Sequence, residues 1–192
     1  PTRTGAPHGP RAHDGKITTE RPDEMWGTAG TTTMTGEGQA TIFVVVDHCP
    51  SECVGLHPTA RGNRFEALEP VRQAVTEVFG GVDEKIAAGV LLRHDHGSVY
   101  TSEDFQREIR FLGLESSSAF VRAPEGNGCA ERFIRTLKEQ LLWLRFFPAV
   151  AELNAALADF RGRYNHRWRL ERHDYRAPAE VRAAFMALET AA

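Results

Sequence analysis

The hydrophobic pattern opens with strands and closes with helices. Residues 30–35 are threonine-rich and β-prone, and Gly36-Glu37-Gly38 reads as a hairpin turn. Residues 40–46 form a continuous β-branched run, the mark of a strand buried on both faces. A third strand is expected over 52–57, so the three form an antiparallel meander. Over Arg64–Phe79 the period changes: Phe65, Leu68, Val71, Val75 and Phe79 recur at helical spacing, and Gly80-Gly81 stops them. A short buried strand follows over 89–93. A helix over 101–111 places Phe105, Ile109 and Leu112 on one side, with Ser102 as N-cap. Residues 114–117 predict a last strand, and 120–128 a loop punctuated by Pro124, Gly126 and Gly128. A long helix is expected over 127–147, another from Pro148 to about Asn165, and a last one after Pro178. Residues 1–24, rich in Pro, Gly, Arg and His, read as a flexible arm or linker ahead of a single domain over 25–192.

The chain has 192 residues, enough for one well-packed domain. No apolar run approaches the ~20 residues of a membrane span. The longest, 41–46 and 141–147, are short, and Arg145 interrupts the second. No signal segment opens the chain, which starts at Pro1 and is expected to be a fragment of a longer protein. Three cysteines without a signal segment point to free thiols in a reducing compartment. His48, Cys49, Cys53 and His57 lack the paired spacing of a zinc site. A net charge of −3 does not advertise a nucleic-acid binder, but its distribution is uneven. From Arg132 to Arg176 ten Lys/Arg face five acids, a basic helical third beside acidic segments that would suit a phosphate backbone.

Two acids stand out by context. Asp95 ends the apolar run Leu91-Leu92-Arg93-His94, and Glu131 lies in the first turns of the helix after Asn127, with 35 residues between them. Singly, Asp95 is a common turn residue and Glu131 a favourable acid in a first helical turn. Together, carboxylates on a strand end and a helix suit a site for hard divalent cations, because rigid elements hold the ligands.

The neighbouring residues extend this pairing. Arg93-His94-Asp95-His96-Gly97-Ser98-Val99-Tyr100 is similar to the H-S-D-x-G-x-x-Y motif of the integrase cores of bacterial insertion-sequence transposases. Asn127-x-x-x-Glu131-Arg132-Phe133-x-x-Thr136-Leu137-Lys138-Glu139 resembles the N-x-x-x-E-x-F-x-x-L-K-x-E helix of that family. Tyr164-Asn165-x-Arg167 and Tyr175-x-x-Pro178 resemble its closing segment, so the match covers about residues 25–185. The resemblance implies an α/β, ribonuclease H-like fold: a mixed five-stranded sheet with helices on both faces. It also implies a DDE-type polynucleotidyl transferase that hydrolyses a phosphodiester and joins the freed 3′-OH to target DNA, using two Mg²⁺ or Mn²⁺ ions. Asp95 and Glu131 become two of three metal ligands. Lys138, two turns along from Glu131, becomes the main DNA contact, with Arg132 and Arg135 as further candidates. Asn127 is expected to cap its helix and hold the loop before it. His94 and His96 could reach phosphate, although a structural role is the plainer reading for both.

Two departures are visible. Val99 stands where many relatives carry Gln. In Trp26-Gly27-Thr28-Ala29-Gly30-Thr31, Ala29 occupies the place of the first catalytic Asp of W-x-x-D-x-T. Asp47 matches a non-catalytic position of the family and does not substitute for it. A methyl group cannot coordinate a cation, so the chain as written is expected to be inactive; the intact neighbouring motifs favour a deliberate change over decay. The implied partners are DNA, as element ends and target, and further copies of the chain, with no membrane. The implied location is the cytoplasm, at the nucleoid. End recognition is expected upstream, in a helix-turn-helix region absent here. Two other readings remain: a non-catalytic DNA-binding or dimerisation domain derived from a transposase, and another ribonuclease H-like nuclease.

Overall fold

Five strands build one mixed sheet in the order β3-β2-β1-β4-β5. A computed structural model describes residues 19–118 and 127–190 of the chain. Strands β1 (Met25–Thr35), β2 (Gly38–Asp47) and β3 (Cys53–Thr59) form the expected antiparallel meander. Strands β4 (Leu91–His94) and β5 (Glu115–Ser118) add to the free edge of β1 in parallel. β1 starts five residues earlier than the threonine run suggested. Its first residues, Met25 to Gly27, pair with β4, a partner distant in sequence that local propensity does not report. β4 in turn begins after Gly89, whose φ of 94° lies outside extended backbone.

The alternation along β2 explains why it reads as a continuous apolar run. Ile42, Val44 and Val46 face one layer of helices, while Phe43 and Val45 face the other. Helix α1 (Arg64–Phe79) starts at Asn63, whose side chain accepts from the Phe65 and Glu66 amides, and stops at Gly80 in the left-handed region. It packs Leu68, Val71 and Val75 with Trp26, Leu92, Phe105 and Ile109 on one sheet face. Phe65, expected on the buried side, is exposed; it lies in the first turn, under the Arg64 guanidinium. The expected helix over 101–111 is split into α2 (Ser98–Thr101) and α3 (Glu103–Phe111). Ser102 is extended between them and caps α3 by accepting from the Phe105 amide, as its position predicts.

The other face carries α4 (Gly128–Leu137), α5 (Val150–Arg167) and their core of Ala130, Phe133, Leu137, Leu153, Leu157 and Phe160. The expected continuous helix over 127–147 does not form. After Leu137 the chain widens into a π-helical turn, Lys138–Leu142, closed by the Trp143 amide on the Lys138 carbonyl. Phe147 is pulled out of helical register because it is buried and its carbonyl accepts from the Gly36 amide at the β1–β2 turn. α5 starts two residues after Pro148, and α6 (Pro178–Thr190) uses Pro178 as its first residue, where the missing N–H costs nothing. The expected loop over 120–128 falls outside the described residues up to position 126.

α6 is fixed by charge. Arg182 reaches Asp23 (2.6 Å), Asp47 (2.7 Å) and Glu52, and Trp26 donates to Asp23. Asp47 is fully buried; burial pushes its carboxyl up to about 7, against the pull of Arg182 and two backbone amides. Three acids sharing one guanidinium were not foreseen. They are far apart in sequence, and no spacing announces them.

Candidate active site

The site is set by the junction of β1, β4 and the first turn of α4. Parallel pairing places Trp26 against Leu92 and Gly27 against Arg93. Continued by two residues, the same register brings Ala29 level with Asp95, just beyond the end of β4. Ala29 is buried and its methyl belongs to the same apolar cluster as Ala130, Phe133 and Ile134 of α4. α4 approaches β1 closely because Gly27 has no side chain: a Cβ there would lie 3.4 Å from Ala130 Cβ. Asn127 locks this approach by donating from Nδ2 to the Thr28 carbonyl at 3.0 Å. Asn127 thus takes the N-cap position without a side-chain capping bond, contrary to expectation, and ties the helix to the strand instead.

Asp95 is exposed, and one carboxylate oxygen accepts from the Gly97 amide at 2.7 Å. This is the turn chemistry expected of an Asp-x-Gly sequence. Gly97 leaves room for this contact, since a Cβ at that position would sit 2.7 Å from the same oxygen and the Asp95 side chain would have to shift. Glu131 is exposed and has no hydrogen bond or ion pair among the described residues. Both acids therefore keep oxygens free for a hard cation. No group of three potential metal-ligating side chains forms among the described residues. Oxygen donors of this kind suit a hard divalent cation, whereas the methyl of Ala29 offers no ligand atom.

The flanking residues divide. His94 is buried, with Nε2 on Ser116 Oγ (2.9 Å), Nδ1 on the Asp95 carbonyl (2.7 Å) and its ring stacked on Tyr100. It is a packing residue that holds the strand end carrying Asp95. His96 is exposed. Asp47, paired with Trp26 across the ladder, sits three residues from Ala29 along β1 and belongs to the Arg182 cluster. Lys138 opens the π turn, half-buried and without an ion-pair partner among the described residues. Arg132 and Arg135 are exposed on α4, and Arg135 is paired with Glu139 at 2.8 Å.

Sequence reasoning missed the role of Arg93, a buried arginine whose Nη1 donates to Ser117 and whose Nε has no partner among the described residues. Burial lowers its pKa. It also missed His48, buried near Gly27. Burial first, then the charges of Arg172 and Arg93, lower its pKa to about 4 and keep the ring neutral. Arg93 stands inside the Asp95 motif and His48 in the zinc set weighed above, but the surroundings of each are defined by what lies across the sheet.

Comparison with known proteins bears on the family and the fold. Residues 112–178 match the integrase core domain family. The chain is 28% identical over 181 residues, 93% of its length, to the putative transposase InsD for insertion element IS2E of Escherichia coli (strain K12), of which it spans 82%. At the same identity and coverage it is similar to the transposase InsD for insertion element IS2A/D/F/H/I/K of Escherichia coli, of which it spans only 59%. Among solved structures, the catalytic core domain of BIV integrase overlays with a TM-score of 0.61 at 16% identity, covering 88% of this chain and 99% of that one. The HTLV-2 integrase catalytic core domain in complex with magnesium, in its trimeric form, gives a TM-score of 0.63 at 15% identity, covering 85% and 98%. A chain of the simian T-cell lymphotropic virus intasome in complex with PP2A regulatory subunit B56 gamma gives 0.69 at 19%, covering 90% and 58%. These structures share the fold, a mixed five-stranded sheet with helices on both faces.

Proposed function

We propose, for a chain that resembles the integrase catalytic cores of bacterial insertion-sequence transposases, that it is the DDE core of a DNA transposase in which Ala29 removes the first of three catalytic carboxylates. The observation that supports this reading is the parallel β1–β4 register, Gly27 opposite Arg93, which continued by two residues would bring Ala29 level with Asp95, on the strand to which Asn127 ties the Glu131 helix. In a parent with Asp at 29, the three carboxylates would hold divalent metal, which supplies charge neutralisation and an activated oxygen nucleophile for in-line displacement at phosphorus. The protein's own work is positioning. His94 and the Gly97 turn orient Asp95, Asn127 fixes the start of α4, and Lys138 with Arg132 and Arg135 supplies positive charge along the DNA backbone. The substrates would be element ends and target DNA, and joining two ends calls for more than one copy of the chain. A location with the DNA of the cytoplasm follows from the same reading. No described helix is long and apolar enough to cross a membrane.

The test is a 3′-end processing and strand-transfer assay with Mg²⁺ or Mn²⁺, comparing the chain as written with Ala29→Asp. Metal-dependent cutting and joining by the Asp form alone is the expected result. Equal activity of the two forms would remove Ala29 from the catalytic site. Cutting without joining would favour a ribonuclease H-like nuclease.

A second reading has one observation behind it. Ala29 is packed as a core residue, 8% exposed, among Val44, Ala130 and Phe133. A chain that has settled a methyl there suits a non-catalytic DNA-binding or dimerisation domain derived from a transposase. An Ala29→Asp form that binds DNA but neither cuts nor joins it would support that reading.

A further inference from the structure

The turn between β2 and β3 divides its polar groups between two arginines. Its side-chain acids, Asp47 and Glu52, go to Arg182 of α6. Its main-chain oxygens go to Arg172, whose Nη2 donates to the carbonyls of His48 at 3.2 Å and Cys49 at 3.5 Å. A carbonyl orients a guanidinium but does not neutralise it. Arg172 is exposed and makes no ion pair among the described residues, even with Glu171 and Asp174 near it in sequence. It therefore keeps a full positive charge on a side chain that the fold holds in place.

The first turn of α4 lies against the same β2–β3 turn. Cys129 Sγ is 3.7 Å from the Asp47 carbonyl oxygen and 3.8 Å from Ser51 Oγ. At about 100° per residue, Arg132 projects between the directions of Cys129 and Glu131 around the helix. It too is exposed, with no ion pair among the described residues. The Cys129 thiol feels both arginines: burial raises its pKa, while the Ser51 hydrogen bond and the charges of Arg172 and Arg132 pull it down, with Asp47 opposing them. The start of α4 adds to this positive surface, because no side chain caps its first amides. Of the ten basic residues from Arg132 to Arg176, Arg135, Arg161, Arg163 and Arg169 are taken up by acids. Arg132 and Arg172 escape this pairing and flank one turn.

We propose that Arg172 and Arg132 form a clamp for the phosphodiester backbone of DNA, on the side of α4 that leads to Glu131. The inference rests on the DNA-binding reading above and adds Arg172, which no sequence motif marks, as a positioning contact. Each guanidinium presents N–H donors to non-bridging phosphate oxygens. The contact is to the backbone, so it fixes where DNA lies against Glu131 and carries no base preference. The two carbonyl bonds order the Arg172 side chain before DNA arrives, which lowers the entropy lost on binding.

Fluorescence anisotropy of a labelled DNA duplex in chelator, over a salt series, tests the clamp. Arg172→Gln keeps N–H donors for the two carbonyls and removes the charge. It is expected to melt near the unaltered chain and to reduce the slope of log affinity against log salt by about 1. Arg132→Gln is expected to do the same, and the double variant to reduce the slope by about 2. Arg172→Lys, which keeps the charge, should hold the original slope. Arg107→Gln removes a charge from α3, on the opposite sheet face, and should leave the slope unchanged. An unchanged slope in Arg172→Gln, or an equal loss in Arg107→Gln, overturns the clamp while the DNA-binding reading stands. An unaltered chain that binds no duplex at low salt overturns that reading and the clamp together. Should Arg172→Gln fail to fold, Arg132→Gln decides alone, since that side chain has no hydrogen bond or ion pair to lose among the described residues.

Discussion

Two carboxylates about 5 Å apart at an effective dielectric near 20 repel by roughly 3 kcal/mol. Without metal, a third acid beside Asp95 and Glu131 adds this repulsion, and at position 29 it also replaces a packed methyl. Ala29→Asp is therefore expected to lower the melting temperature in chelator and to recover it in millimolar Mn²⁺, whereas the chain as written shows a smaller response. Identical melting of both forms with and without the ion, followed by calorimetry, would count against any metal site here. Asp47 makes a separate prediction at this scale. Its folded pKa, about 7, lies above the unbound value of 3.8, so the folded chain holds a proton that the unfolded chain has already released. The stability from this group is complete below 3.8 and is lost as pH rises toward 7. Urea midpoints across that window should fall with rising pH, and Asp47→Asn should flatten the slope. Asp95, Glu131 and the lysine two turns on were legible because each lies in a local motif. Asp47 was seen but its partners were not, because Asp23, Glu52 and Arg182 meet only in the folded chain.

Helix placement depends on a few contacts that tolerate no substitute. Arg182 of α6 pairs with Asp23, Asp47 and Glu52 together. Truncating it to Ala leaves buried acids without a counter-charge, and a loss of about 3–5 kcal/mol in denaturant unfolding is expected. A loss below 1 kcal/mol would mean that α6 is held by its apolar contacts alone. α1 sits on β3 through Gly55, where a Cβ would lie 2.0 Å from the Pro70 carbonyl oxygen. Backbone meets backbone there, so Gly55→Ala is expected to cost about 3 kcal/mol, read as a shift of the urea midpoint. Strand and helix order was readable from periodicity, since β2 carries a core on each face and α1 has a cap at either end. The end of α4 was not readable. Residues 138–147 have helical composition, and only the seat of Phe147 beside Gly36 ends the helix early.

On the scale of the whole molecule, a chain of net charge −3 is proposed to bind a polyanion through one helical surface. Lys138 is the test of that surface, since it lies on the Glu131 helix face and has no ion-pair partner among the described residues. Lys138→Ala should weaken DNA binding for all sequences and reduce the slope of log affinity against log salt by about 1, measured by fluorescence anisotropy over a salt series. An unchanged slope would place the DNA elsewhere. The sequence by itself determined the order of elements, the buried central strand and the identity of the two acids, because periodicity and turn chemistry act over a few residues. It also suggested Ala29 as the place of a missing motif member, because a motif is read by its spacing. Only the tertiary structure decided that β1 and β4 pair in parallel with Gly27 opposite Arg93, that Gly27 admits α4 and its Asn127 tether, and that one arginine holds three distant acids. Those are contacts between segments far apart in the chain, whose free energy exists only once the sheet has assembled.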